Sequence, residues 1–154
     1  MSISETVSTY LKDQNVEYEL VHHPITYSSH ETALAAHVDE DHIAKAVIVK
    51  DKKGYAMVVI TGSDWVEMND LQAEINRKFE LAEESELKKL FSDCKLGAIP
   101  PLGQAYGIET YLDDRLNTLA NIYLEAGDHE NLLHIHSNEF HKLFKGVRHG
   151  HFSH

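Results

Sequence analysis

The sequence predicts a mixed α/β (α+β) fold, a single domain with a sheet of about six strands and flanking helices. Three observations predict it. The 154 residues suit one ordinary domain, long enough to bury roughly 68–70% of the unfolded surface without staples. Helical and strand periods of apolar residues both occur, with no regular strand–helix–strand rhythm. Residues 44–61 read as two β-rich runs around a tight turn, which makes at least one pair antiparallel.

The elements follow in order. Ile3, Val7, Tyr10 and Leu11 mark one face of a helix over residues 3–14, which Asn15 can end. Tyr18–Val21 is a short strand, stopped by Pro24. Ser28 and Glu31 have capping-box spacing ahead of a helix reaching Val38. Ala44–Lys50 and Tyr55–Thr61 form a hairpin, with Gly54 supplying positive φ near the turn. Asn69–Arg77 and Glu84–Phe91 read as helices, with a brief strand over Phe79–Ala82 between them. Ile108–Leu112, Ile122–Glu125 and Leu132–His136 are the last strands, and Ser137–Phe144 the last helix. The domain is expected over residues 1–145, with 146–154 a frayed C-terminal tail.

Composition excludes several classes. At 42% hydrophobic and 25% charged residues the chain is globular rather than disordered. A net charge of −11 opposes nonspecific nucleic-acid binding, which needs surplus Lys and Arg, so DNA is no expected partner. Ala46–Val49 and Ala56–Ile60 are the longest apolar runs, too short to span a bilayer. No signal peptide is visible, and Cys94 alone cannot form an internal disulfide, so a cytoplasmic setting is expected.

Three features carry chemistry. Lys45 lies in an otherwise apolar strand, where it either snorkels to solvent or presents a cation to an anionic ligand. Residues 97–107 hold three of the eight glycines and two of the three prolines, a stiff loop whose bare backbone lets a ligand approach. Gly127, Asp128 and His129 follow a strand directly, either as a plain turn or as site residues. The 12 histidines raise a metal question. His134 and His136 share a strand face, but no third ligand has a recognisable spacing, so no metal is expected. Cys94 reads as an inert thiol.

Taken in order, Ala44–Asp51, the glycine–proline segment Gly97–Gly103 and the segment Glu125–Glu130 resemble the YbaK/ProX aminoacyl-tRNA deacylase family, which is similar to the editing domain inserted in prolyl-tRNA synthetases. The resemblance implies a curved, largely antiparallel sheet and no cofactor. It implies a stand-alone trans-editing hydrolase that cleaves the ester of mischarged tRNA carrying Cys, Ala or a similar small amino acid. Lys45, Gly97 and His129 take the catalytic positions. Lys45 would hold the terminal adenosine phosphate or the substrate's polar groups, and the N–H groups of Gly97, Ala98 and Ile99 would orient carbonyl or water. Pro100, Pro101 and Gly103 continue the loop as substrate-binding positions, with Tyr27, Ala46, Gly127 and Asp128 completing the pocket. Ala46 offers no polar side chain at a position that reads substrate in several subgroups. The partners implied are the CCA end of mischarged tRNA and an aminoacyl-tRNA synthetase. Two alternatives stand beside this reading: a noncatalytic module binding tRNA ends or a synthetase, and a histidine-based metal-binding protein.

Overall fold

A computed structural model describes residues 3–154; Met1 and Ser2, part of the expected domain, lie outside the described residues. Among the described residues, five α-helices and eight strands form, in the order α1 (Glu5–Asp13), β1 (Glu19–His22), α2 (Ser29–Ala36), β2 (Ile43–Asp51), β3 (Gly54–Thr61), α3 (Met68–Ile75), β4 (Glu80–Leu81), α4 (Glu84–Leu90), β5 (Glu109–Asp113), β6 (Asn121–Glu125), β7 (Asn131–His136), α5 (Ser137–Leu143) and β8 (Arg148–Gly150).

Local chemistry sets the helix starts. Ser4 accepts the Val7 N–H at 3.2 Å and Ser28 accepts the Glu31 N–H at 3.1 Å, each satisfying a donor the first turn leaves free. In α4, Glu83 and Glu86 close a reciprocal capping box. Left-handed His37 and Asn76 end α2 and α3, in the role glycine more often fills.

The strand order is β1-β7-β6-β2-β3-β5-β8, with β4 also on β2. Four pairs are antiparallel: β1–β7, β2–β3, β2–β4 and β6–β7. Three are parallel: β2–β6, β3–β5 and β5–β8. The sheet is therefore mixed. It carries eight strands where about six were expected: β4 falls within the brief strand read over Phe79–Ala82, and β8 lies in the segment expected to fray.

The sheet divides two cores. Ala44 and Ile48 of β2 join Val7, Leu11, Phe91, Leu102 and Phe140 on one face. Val47 and Val49 meet Leu71, Ile75, Phe79 and Phe152 on the other. Apolar packing on both faces explains why β2 reads as a continuous hydrophobic run.

One expectation is overturned. Residues 146–154 do not fray: Arg148–Gly150 pairs in parallel with Tyr111–Asp113, and Phe152 is fully buried. Asp113 accepts the Phe152 N–H and the Ser153 hydroxyl, each at 2.9 Å. Burial of Phe152, the β5 pairing and the Asp113 bonds together offset the entropy that frees an ordinary terminus.

Candidate active site

The site lies at one end of β6, where the sheet opens. The N–H of Gly62 donates to the Ile43 carbonyl at 2.7 Å, so alternate β2 residues from Ile43 turn their polar groups to β3. The residues between them face the other way, as the bond from Ala82 N–H to the Ile48 carbonyl at 3.0 Å requires. On that side β6 pairs only Ile43 and Ala44, and β4 pairs only Val49 and Lys50. The N–H and C=O of Ala46 therefore point into the gap between β6 and β4. The sequence suggested that Ala46 offers no polar group; its backbone offers two.

Gly97, His129 and Tyr27 converge at the end of β6. Gly97 has φ +84°, and a Cβ there would stand 3.1 Å from His129 Cε1. The rings of Tyr27 and His129 lie 5.3 Å apart. His129 is itself left-handed, at φ +64°, and buried. Its Nε2 bonds the Leu96 carbonyl. A carbonyl only accepts, so Nε2 carries the proton of this bond, and Nδ1 is the nitrogen left for a ligand.

Lys45 is linked to the Tyr27–Ser29 segment through Gly62. Its Nζ donates to the Gly62 carbonyl at 3.2 Å, and a Cβ on Gly62 would lie 3.2 Å from Ser29 Cβ. The Tyr27 carbonyl in turn lies 4.0 Å from where a Gly97 Cβ would sit. No hydrogen bond among the described residues joins Lys45 to Gly97, Tyr27 or His129. Burial lowers the ammonium pKa, against the opposing pull of Glu40 and Asp64.

Several expected pocket residues turn out to hold the fold. The N–H of Ala98 donates to the Lys95 carbonyl at 3.1 Å, so it cannot serve a ligand, whereas those of Gly97 and Ile99 donate to no group among the described residues. Asp128 has both carboxylate oxygens engaged within its own turn. Its Oδ1 accepts the N–H groups of Glu130 and Asn131 at 3.0 and 2.9 Å, and its Oδ2 accepts the Asn131 amide at 2.6 Å. That closes the turn that aims His129. Gly127, at φ +102°, leaves room for Ser4 and Cys94, whose Cβ and Sγ would lie 3.1 and 3.2 Å from an added Cβ. Gly103 packs against Met57 and Thr110, where a Cβ would stand 2.3 Å from Thr110 Oγ1. Pro100 and Pro101 are buried with it.

Beneath the loop sits a polar cluster. Asp93 accepts from the Ser4 hydroxyl at 2.6 Å, the Thr6 N–H at 3.0 Å and the Tyr106 hydroxyl at 2.9 Å. Burial would raise its pKa, but these bonds hold it well below the usual carboxylate range. Burial pushes the Cys94 thiol up to about 11, against nucleophilic use.

Glu125 escaped the sequence reading. It ends β6, one residue past Leu124, the partner of Ala44 in β2. It is 7% exposed, Thr32 is its hydrogen-bond partner at 3.5 Å, and Oε2 has none among the described residues. Burial, with a smaller push from Asp128, raises its pKa to about 7. The available signal was a carboxylate closing an apolar strand run, Ile122–Glu125, next to a glycine turn.

The rings of His134 and His136 lie 4.9 Å apart. His134 stacks on Tyr123 at 4.6 Å and bonds Asn121 at 2.8 Å.

A family model described as an aminoacyl-tRNA editing domain matches residues 23–143. Among solved structures, a hypothetical protein superposes with a TM-score of 0.86 at 24% identity, over 97% of this chain and 100% of that one. A protein proposed to be a trans-editing enzyme for prolyl tRNA synthetase gives 0.85 at 19% identity, over 98% and 96%. A protein from Marinobacter aquaeolei VT8, described as a candidate signal transduction protein, gives 0.80 at 18% identity, over 99% of this chain but 31% of that one. At these identities the superpositions show the fold. A search of curated proteins finds no match. No helix among the described residues is long and apolar enough to cross a membrane.

Proposed function

The chain belongs to the aminoacyl-tRNA editing domain family, and on that premise we propose that it is a stand-alone hydrolase of mischarged aminoacyl-tRNA acting in the cytoplasm. The observation that carries this reading is the closeness of Gly97 to His129, with a bare Cα where a side chain would meet the imidazole at 3.1 Å. That arrangement suits a small activated acyl group.

An aminoacyl ester needs no protein nucleophile, because a positioned water and a donor for the developing oxyanion suffice. Water adds to the ester carbonyl carbon, and the former carbonyl oxygen takes the negative charge. The bond to the ribose oxygen then breaks. That oxygen leaves with a proton, and the free amino acid departs. His129 Nδ1 accepts a hydrogen bond from the attacking water, with Nε2 held on Leu96. The free N–H groups of Gly97 and Ile99 serve the oxyanion, and Ala98 drops out of that role. Ala46 presents main-chain groups to the substrate's polar edge. Lys45 turns from Gly62 to the phosphate of the terminal adenosine. The narrow space beside Gly97 favours Cys, Ala or a similarly small amino acid.

With a charge of −11, the chain grips little beyond the CCA end, and a synthetase partner would hold the rest of the tRNA. The test is a deacylation panel across mischarged tRNAs, with binding followed in parallel. Faster ester loss for at least one small-residue tRNA supports the hydrolase. Binding without cleavage across the panel would favour the noncatalytic module.

A further inference from the structure

We propose that Asp70, His151 and His154 form a surface site for a divalent cation of the zinc class, independent of the editing reaction. One ligand atom from each lies within 4.8 Å of the others. His154 Nε2 sits 3.2 Å from Asp70 Oδ2, and the two imidazoles stand perpendicular with centroids 5.5 Å apart.

The backbone beneath these side chains is already fixed. Trp65 and His154 exchange two backbone hydrogen bonds, at 2.9 and 3.1 Å, and Glu67 N–H donates to the Phe152 carbonyl at 2.7 Å. Val66 and Ser153 form an antiparallel bridge. Phe152, between the histidines, packs in the same core as Leu71, the neighbour of Asp70 in α3. The ligands thus come from two elements held together without a metal. Binding asks only for rotamer changes in exposed side chains.

The donor set selects the ion. Two imidazole nitrogens and one carboxylate oxygen match zinc sites that use three protein ligands and leave a fourth position to water. Mg²⁺ and Ca²⁺ favour all-oxygen shells and fit poorly. Zinc ligands about 2.0–2.1 Å from the ion stand roughly 3.3 Å from one another, so the cluster tightens by about 1.5 Å at its widest. The bound ion would clip residues 148–154 to α3. His134 and His136 provide the comparison, since no third ligand joins them among the described residues.

The test uses the chelator-stripped, untagged full chain, titrated calorimetrically with Zn²⁺ and separately with Mg²⁺. The expected result is one equivalent of Zn²⁺ bound, no Mg²⁺ binding, and a higher thermal midpoint with Zn²⁺. His151→Ala and Asp70→Asn, each verified as folded by circular dichroism, should weaken Zn²⁺ at least tenfold and abolish the thermal shift. His134→Ala should change neither. If Asp70→Asn does not fold, His151→Ala decides alone. Absence of saturable Zn²⁺ binding, or full binding in folded His151→Ala, overturns the proposal. Loss of binding in His134→Ala with retention in His151→Ala overturns it as well.

Discussion

At Gly97 backbone conformation and close packing demand the same residue. Its φ of +84° lies where side chains are strained, and the imidazole of His129 occupies the space a Cβ would need. Gly97→Val should therefore displace His129 and lower the single-turnover rate by at least about 10²-fold, the scale of a misplaced catalytic group. A folded variant with an unchanged rate would remove the loop from the site. Glu125 gives a second test, through pH. Its pKa near 7 stands above the ordinary 4.5, so the folded state holds a proton that the unfolded state releases between these values. Stability from this group is thus present at low pH and falls as pH rises from about 4.5 to 7, by up to about 3 kcal/mol. Glu125→Gln should remove that fall, making the variant the more stable protein at pH 8 but not at pH 4.5, as read from urea midpoints. Equal midpoint differences at both pH values would show that Glu125 titrates normally. Lys45, Gly97 and His129 stood out in the sequence because a cation in an apolar strand, a glycine–proline loop and a turn histidine are local signals. The turn-closing role of Asp128, the tight packing of Gly103 and the burial of Glu125 depend on neighbours such as Asn131, Thr110 and Thr32. Thr32 lies far from Glu125 in sequence, as Met57, which also crowds Gly103, lies far from that glycine, and no local pattern encodes such contacts.

Among the elements, the hairpin and α2 follow directly from sequence, because turn chemistry and Ser28 capping act within a few residues. β8 does not. Arg-His-Gly has no strand pattern of its own, and its partner β5 lies more than thirty residues earlier. What fixes it is Phe152, fully buried beside Tyr111, with ring centroids 6.3 Å apart. Phe152→Ala should cost about 3–5 kcal/mol, the range for emptying a buried aromatic site, and urea unfolding would measure it. A loss under 1 kcal/mol would mean that the terminal segment frays after all. The loop ahead of Gly97 is anchored differently. Asp93 ties it to Ser4 and Tyr106, so Asp93→Ala should leave Ser4 and Thr6 without their partner. It should destabilise the protein by about 1–3 kcal/mol.

For the whole molecule, the proposed reaction calls on no metal. Water, backbone donors, His129 and Lys45 supply each step of the proposed reaction. Deacylation should accordingly persist after exhaustive chelation, even though the same treatment empties the surface site proposed at Asp70, His151 and His154. Activity lost with EDTA and restored by zinc would contradict the mechanism. The most direct test of the central claim is the single-turnover rate of ester hydrolysis on the best mischarged tRNA, compared between wild type and Lys45→Ala. Lys45 is half-buried and held by one backbone acceptor, Gly62, so alanine there should leave the fold intact. Wild type should hydrolyse the ester well above the uncatalysed rate, and folded Lys45→Ala should lose at least about 10²-fold. Equal rates in the two proteins, or no acceleration by wild type on any mischarged tRNA, would contradict it.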